Sequence, residues 1–170
     1  MAGKLDQYAN IASVKVTESA ANTQTSTKFA FPFSIMDKMA LLISRVEYWL
    51  GTPSNMNSDQ DYVYMAVTAA ATIVDLSNQS DPLVLDSVAQ LRQDWGAAAS
   101  GILVQNPIVK DFANLPGGGI LVAPNPLYAM VKGSNNGAAN VLWVKLFYTY
   151  LELKTDEYWQ LVESRRVISG

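Results

Sequence analysis

Between residues 140 and 153 the chain reads NVLWVKLFYTYLEL, and at a period of two residues both faces are mostly apolar. One face carries Val141, Trp143, Lys145, Phe147, Thr149 and Leu151, and the other Leu142, Val144, Leu146, Tyr148 and Tyr150. The crowding of β-branched and aromatic side chains favours a strand over a buried helix, because such residues fit a pleated surface and lose rotamer freedom in a helix. A strand apolar on both faces belongs in the middle of a sheet with material packed above and below it.

The same criterion predicts further strands at 39–50 (MALLISRVEYWL), 62–74 (YVYMAVTAAATIV), 120–122 and 127–132, with one or two short ones in 102–112 around Asn106-Pro107. Residues 28–34 read KFAFPFS, a strand with Phe29, Phe31 and Phe33 on its inner face, and Pro32 makes it an edge or its end. A short alternating piece at 13–17 predicts one more edge strand.

Two stretches show helical spacing. Asp81 and Pro82 have the order of an N-cap followed by a first-turn proline, and Leu83, Val84, Val88, Leu91 and Trp95 recur on one helical face. A helix is expected over 81–95, stopped at Gly96. The second begins at the cap Thr155, with Asp156 and Glu157 in its first turn and Arg165 and Arg166 in its last, the charge order that the helix dipole favours. Tyr158, Leu161, Val162 and Arg165 share a face of it, so it has something to pack on.

The turn-rich tracts between these elements carry no recognisable chemistry. Asn57, Asp59 and Asp61 in the loop 51–61 have the alternate spacing with which calcium loops begin, but Tyr62 stands where glycine is required and Thr68 where a bidentate glutamate is required. The glycine triplet in LPGGG, 115–119, is followed by no Gly-Lys-Ser or Gly-Lys-Thr, so it reads as a tight corner or a close backbone approach. GSNNGAAN, 133–140, reads as a hairpin loop.

About eight short strands without regular helical crossovers give an all-β class: an antiparallel β-sandwich of jelly-roll type with one inserted helix and a C-terminal helix. The small, polar stretch 1–26 reads as a flexible N-terminal arm, able to swap onto a neighbour, ahead of a single domain over 27–170.

Composition narrows the chemistry. There is no cysteine and no histidine, which excludes disulfides, thiol nucleophiles, imidazole bases and the usual zinc sites. A carboxylate pair is the remaining catalytic option, with Glu47, Asp59, Asp61 and Asp81 as candidates; nothing in their spacing brings two together, and an enzyme is disfavoured. No cofactor or metal is expected. The net charge of −3 and the absence of a basic run give no nucleic-acid signal. No apolar segment at the N-terminus has the length of a signal peptide, and no run is long enough to span a bilayer, so synthesis in the cytoplasm as a soluble chain is expected. Charged residues make up 16% of the chain against a usual share of about 25%, which leaves few charges to cover a free surface and suggests that another molecule covers part of it. Trp49, Trp95, Trp143 and Trp159 lie in apolar surroundings and are expected in the core.

The layout resembles the single jelly-roll capsid proteins of tailless icosahedral viruses of bacteria and archaea. The polar arm, KFAFPFS feeding the first long strand, the helix inserted at DPLVLDSVAQLRQDW and the closing YTYLELKTDEYWQLVESRR carry the resemblance. It implies a virion structural protein, made in the host cytoplasm, that assembles with copies of itself and with or without a second capsid protein, without a small-molecule substrate, in a shell that either encloses a membrane or has its genome pumped in afterwards. One departure is the arm, which holds only Lys4 and Lys15 and is not built to neutralise a packaged genome. Candidate assembly contacts are Ala21 and Asn22 in the arm, Asn57 and Asp59 in the loop 51–61, and Arg165 and Arg166 in the tail. A carbohydrate-binding or adhesive sandwich and a tail or fibre subunit are the rival readings.

Overall fold

A computed structural model describes residues 9–32, 38–51, 60–76, 78, 80–93, 106–123 and 126–168. Its strands are β1 (Asn10–Thr17), β2 (Thr25–Lys28), β3 (Met39–Leu50), β4 (Gln60–Thr68), β5 (Val84–Gln93), β6 (Ile108–Asp111), β7 (Ile120–Val122), β8 (Tyr128–Ser134) and β9 (Val141–Glu152), followed by α1 (Thr155–Ile168). They form two antiparallel sheets. The first has the order β1-β9-β3-β6, with β7 also on β3, and the second the order β2-β8-β4-β5.

This order is that of a jelly roll. β1 pairs with β9, β2 with β8, β3 with β6 and β7, and β4 with β5, so the chain is one long nested hairpin. Rolling it up brings β9 beside β3 and β8 beside β4, which closes the two sheets. The inner faces meet in one core, with Leu41, Ile43, Val46, Tyr48, Leu142, Val144 and Leu146 from the first sheet and Val63, Met65, Val67, Ala129 and Val131 from the second.

The expected strands at 39–50, 120–122 and 140–153 appear within a residue or two of those bounds, and β9 sits between β1 and β3 as its apolar faces require. Only its inner face is covered by the other sheet, however. β4 ends at Thr68, earlier than residue 74, and the chain from Ala69 folds back over the outside of the second sheet, where Ile73 and Leu76 pack on Ala66 and Met130. β2 ends at Lys28, the Phe29 N–H still donates to the Leu127 carbonyl at 2.9 Å, and Phe29 and Phe31 reach the core with their rings stacked at 6.2 Å. Phe33 lies outside the described residues. The stretch 1–26 contributes all of β1 and the first two residues of β2.

Two expectations are corrected. The segment 81–93 is no helix: Val84–Gln93 is β5, paired along its length with β4. Its inward positions are Asp86, Val88 and Gln90, so polar residues on the buried side hide the period of two. Asp81 caps a turn instead of a helix, accepting from the Leu83 N–H at 2.9 Å through its side chain and from the Val84 N–H at 2.9 Å through its carbonyl. Trp95 and Gly96 lie outside the described residues. The tract 133–140 is not a hairpin loop: Gly133 and Ser134 end β8, β8 and β9 belong to different sheets, and residues 135–140 carry the chain across the sandwich.

β6 and β7 are two halves of one edge strand, interrupted by an excursion over residues 112–119. It leaves where β3 bulges at Ser44, whose carbonyl accepts from the Phe112 N–H at 2.7 Å. It returns at Gly119, where a Cβ would lie 2.5 Å from the Ile43 carbonyl oxygen, so the triplet serves the close backbone approach expected of it.

Candidate assembly surface

The outer face of the first sheet is where apolar surface is left uncovered. Alternation along β9 sends Leu142, Val144, Leu146 and Tyr148 inward and therefore Trp143, Lys145 and Phe147 outward. Register then sets three rows across the sheet. The first holds Lys15, Trp143 and Trp49; the second Ser13, Lys145, Glu47 and Val109; the third Ile11, Phe147, Arg45 and Asp111. Trp49 and Trp143, expected in the core, are 36% and 42% exposed, and Trp159 on α1 is 49% exposed. The reason is parity: each sheet tryptophan shares its face with charged residues, and no described strand lies above that face.

Cations sit over the rings. Lys15 Nζ lies 5.6 Å from the Trp143 ring centre, Lys145 Nζ 5.3 Å from that of Trp49, and the Arg45 guanidinium 5.2 Å from that of Phe147. Glu47 ties the lattice together, accepting from the Trp49 indole N–H at 3.2 Å and pairing with Arg45 at 2.5 Å. Lys145 in the middle of an apolar face was the sequence signal for this surface, visible once Lys15 and Arg45 are placed in register with β9.

Polar groups are also buried away from this face. The Glu18 carboxylate, just past β1, accepts from the Gly133 N–H at 2.5 Å and from both the main-chain and side-chain N–H of Asn140 at 2.6 Å. Between the sheets the Tyr48 hydroxyl donates to Asp86 Oδ2 at 2.7 Å. Burial pushes the Asp86 carboxyl above its ordinary range, against the pull of the Tyr48 hydrogen bond and the nearby Lys110. Burial first, and then the Asp86 charge, raise the Tyr48 phenol well above its ordinary value.

Of the contact residues expected from sequence, Ala21 and Asn22 lie away from this face. Asn22, at φ 62°, sits in the turn between β1 and β2 with Ala21 beside it, and its side chain accepts from the Asn136 N–H at 2.8 Å and donates to the Asn136 carbonyl at 3.0 Å. Asn22 thus anchors that turn to the β8–β9 connection. Arg165 and Arg166 fall in the last turns of α1, and their side chains, like Asn57 and Asp59 altogether, lie outside the described residues. Of the candidate carboxylates, Glu47 is on the outer face of the first sheet and Asp61 is buried inside the sandwich at the end of the second, so the two do not face one another. Among the described residues no group of three acidic side chains is placed to hold a metal ion.

No protein-family profile matches the chain, and no curated protein matches it in sequence. Among solved structures, a chain of the X-ray structure of tomato aspermy virus is similar, with a TM-score of 0.49 and 14% identity over 85% of this chain and 79% of that one. The jelly-roll assignment rests on strand order and register, which stand without that likeness.

Proposed function

We propose that the chain is a non-enzymatic structural protein, a capsid subunit that assembles with copies of itself into an icosahedral viral shell. The observation that carries this reading is the uncovered aromatic face of the first sheet on a jelly-roll sandwich: a chain with few charges leaves Trp49 and Trp143 outside while covering its other sheet with its own loop. On this reading the protein resides in the virion after synthesis in the host cytoplasm. A second capsid protein and an internal membrane are further partners to be tested, and Ala21, Asn22, Asn57, Asp59, Arg165 and Arg166 are additional contacts. Light scattering coupled to size exclusion, with negative-stain images of the leading fraction, tests it. Closed particles or rings of five or six are expected, and a monomer at every concentration and salt overturns it.

The exposure of Trp49 and Trp143 also favours a second reading, a carbohydrate-binding sandwich, since sugars stack on open indole faces. Two ammonium groups lie over those same rings, which ranks this reading below assembly. Retention on a glycan column by a monomeric chain would reverse the order.

A further inference from the structure

We propose that the outer face of the first sheet docks on the same face of a second copy, through a two-fold axis parallel to the strands and midway between β9 and β3. This rests on the self-assembly reading and gives it a specific contact. Such an axis exchanges β9 with β3 and keeps each row at its own level. Trp143 then meets Trp49 of the second copy, Phe147 meets its Arg45, and Lys145 meets its Glu47, whose side chain is 9% exposed between Trp49 and Arg45 of its own chain. Each is a match of kind: ring against ring, ammonium against carboxylate, ring against guanidinium.

Charge across the sheet has the sense this symmetry needs. The β1 and β9 side carries Lys15 and Lys145, and the β3 and β6 side carries the acids Glu47 and Asp111 along with Arg45. Turning one copy over lays the first side on the second; row by row the direct acid–cation contact is Lys145 with Glu47, and Asp111 falls opposite Ile11. Packed sheets cross at about 30° because each is twisted, so rows stay matched near the axis and diverge away from it. The two tryptophans of each copy stand on the strands that flank the axis, where the match is kept and where buried aromatic anchors contribute most. A polyanion is a poorer occupant, because Glu47 and Asp111 lie among the three cations and would repel its phosphates.

The test exploits the exchange. Lys145→Glu leaves acids at both 47 and 145, and Glu47→Lys leaves cations at both. Within either chain these two positions are cross-strand neighbours and become like-charged, so mixing the variants repairs nothing inside a protomer. Between copies, mixing sets acid against cation at both contacts. Native mass spectrometry and light scattering, with one variant isotope-labelled, are expected to show each variant dissociated alone and mixed pairs on combination. Trp143→Gln, a change at an exposed position, is expected to raise the dissociation constant by about thirtyfold, the weight of a hot-spot residue. Assembly unchanged in Trp143→Gln, or a mixture that stays dissociated while the wild-type chain assembles, overturns this contact and leaves self-assembly to another surface. A wild-type chain that is monomeric at every concentration overturns both. So does a monomeric chain that holds an oligonucleotide or a glycan through this face and releases it in Trp143→Gln.

Discussion

Replacing Glu18 by alanine should be the most damaging single polar change in the sandwich. The residue is 3% exposed and its carboxylate receives three N–H donors: the main chain of Gly133 in β8, and the main chain and Nδ2 of Asn140 just before β9. Removing it strands three buried donors, each of which costs about 1–3 kcal/mol when left without an acceptor. Relaxation and water entry reduce the sum, and a loss of about 3–5 kcal/mol is expected. For a domain of this size that is a large part of a total stability of about 5–15 kcal/mol, and it lowers the thermal midpoint by roughly 10 °C. Urea unfolding of wild type and Glu18→Ala, followed by tryptophan fluorescence, measures the difference. Glu18→Gln should fall between them, since it keeps one acceptor oxygen but turns an amide N–H toward the donors. A Glu18→Ala variant within about 1 kcal/mol of wild type would refute the reasoning, because an orphaned donor at even one of the three positions costs that much.

Asp86 gives a pH test. Its carboxyl is raised by burial, so the native state holds the proton more tightly than the unfolded chain does. The stability this contributes is fully present below the ordinary value of 3.8 and is lost as pH rises through the native one. Asp86→Asn, which keeps an acceptor for the Tyr48 hydroxyl, should therefore gain on wild type as pH rises through that window, and unfolding midpoints that move the other way would contradict it. Gly119→Ala should cost about 1–3 kcal/mol, because its Cβ meets a backbone carbonyl that no side-chain rotation can move; denaturant unfolding reads it. Asn106→Ala removes two side-chain bonds to the Leu50 main chain, at 3.0 Å and 2.9 Å, and should cost about 1–2 kcal/mol while speeding hydrogen exchange at the Leu50 amide.

How much of this was legible in the sequence depends on where the apolar residues fell. β3, β7 and β9 were readable because β-branched and aromatic residues run through them without interruption. β5 was not, because Asp86 and Gln90 occupy buried positions and the sheet, with Tyr48 across the core, satisfies Asp86. There tertiary pairing with β4 overrode a local helical spacing. The strand order was out of reach for a different reason: β4 and β5 are the one consecutive pair joined within a sheet by pairing to each other along their length, and the pairs that close the roll join residues as far apart as Asn10 and Tyr148. The tryptophans were misplaced because alternation separates two faces without saying which is covered. Lys145 and Arg45, at the same parity as Trp143 and Trp49, held that information. The bonds of the Asn22 side chain to Asn136, 114 residues along the same chain, were equally out of reach, since no local pattern pairs the two.

The cations on the outer face of the first sheet bear on association in a way that direct contact alone does not describe. In the free chain Lys15 lies over Trp143 and Lys145 over Trp49, interactions of about 0.5–1 kcal/mol at exposed sites, too weak to affect folding but enough to hold the rings in one orientation. Immobilising a rotamer-rich side chain on association costs about 0.5–1.5 kcal/mol, so a face whose rings are already held loses less on docking. Lys15 is on β1, away from the proposed axis, where sheet twist has carried the rows out of register. Lys15→Ala should consequently leave the thermal midpoint of the monomer where it is and still weaken association several-fold, by freeing Trp143. Sedimentation equilibrium of Lys15→Ala beside Lys15→Arg separates the possibilities. Arginine keeps a cation over the ring and should restore wild-type affinity, whereas equal affinity in all three chains would mean that the rings need no holding and that Lys15 plays no part in the contact.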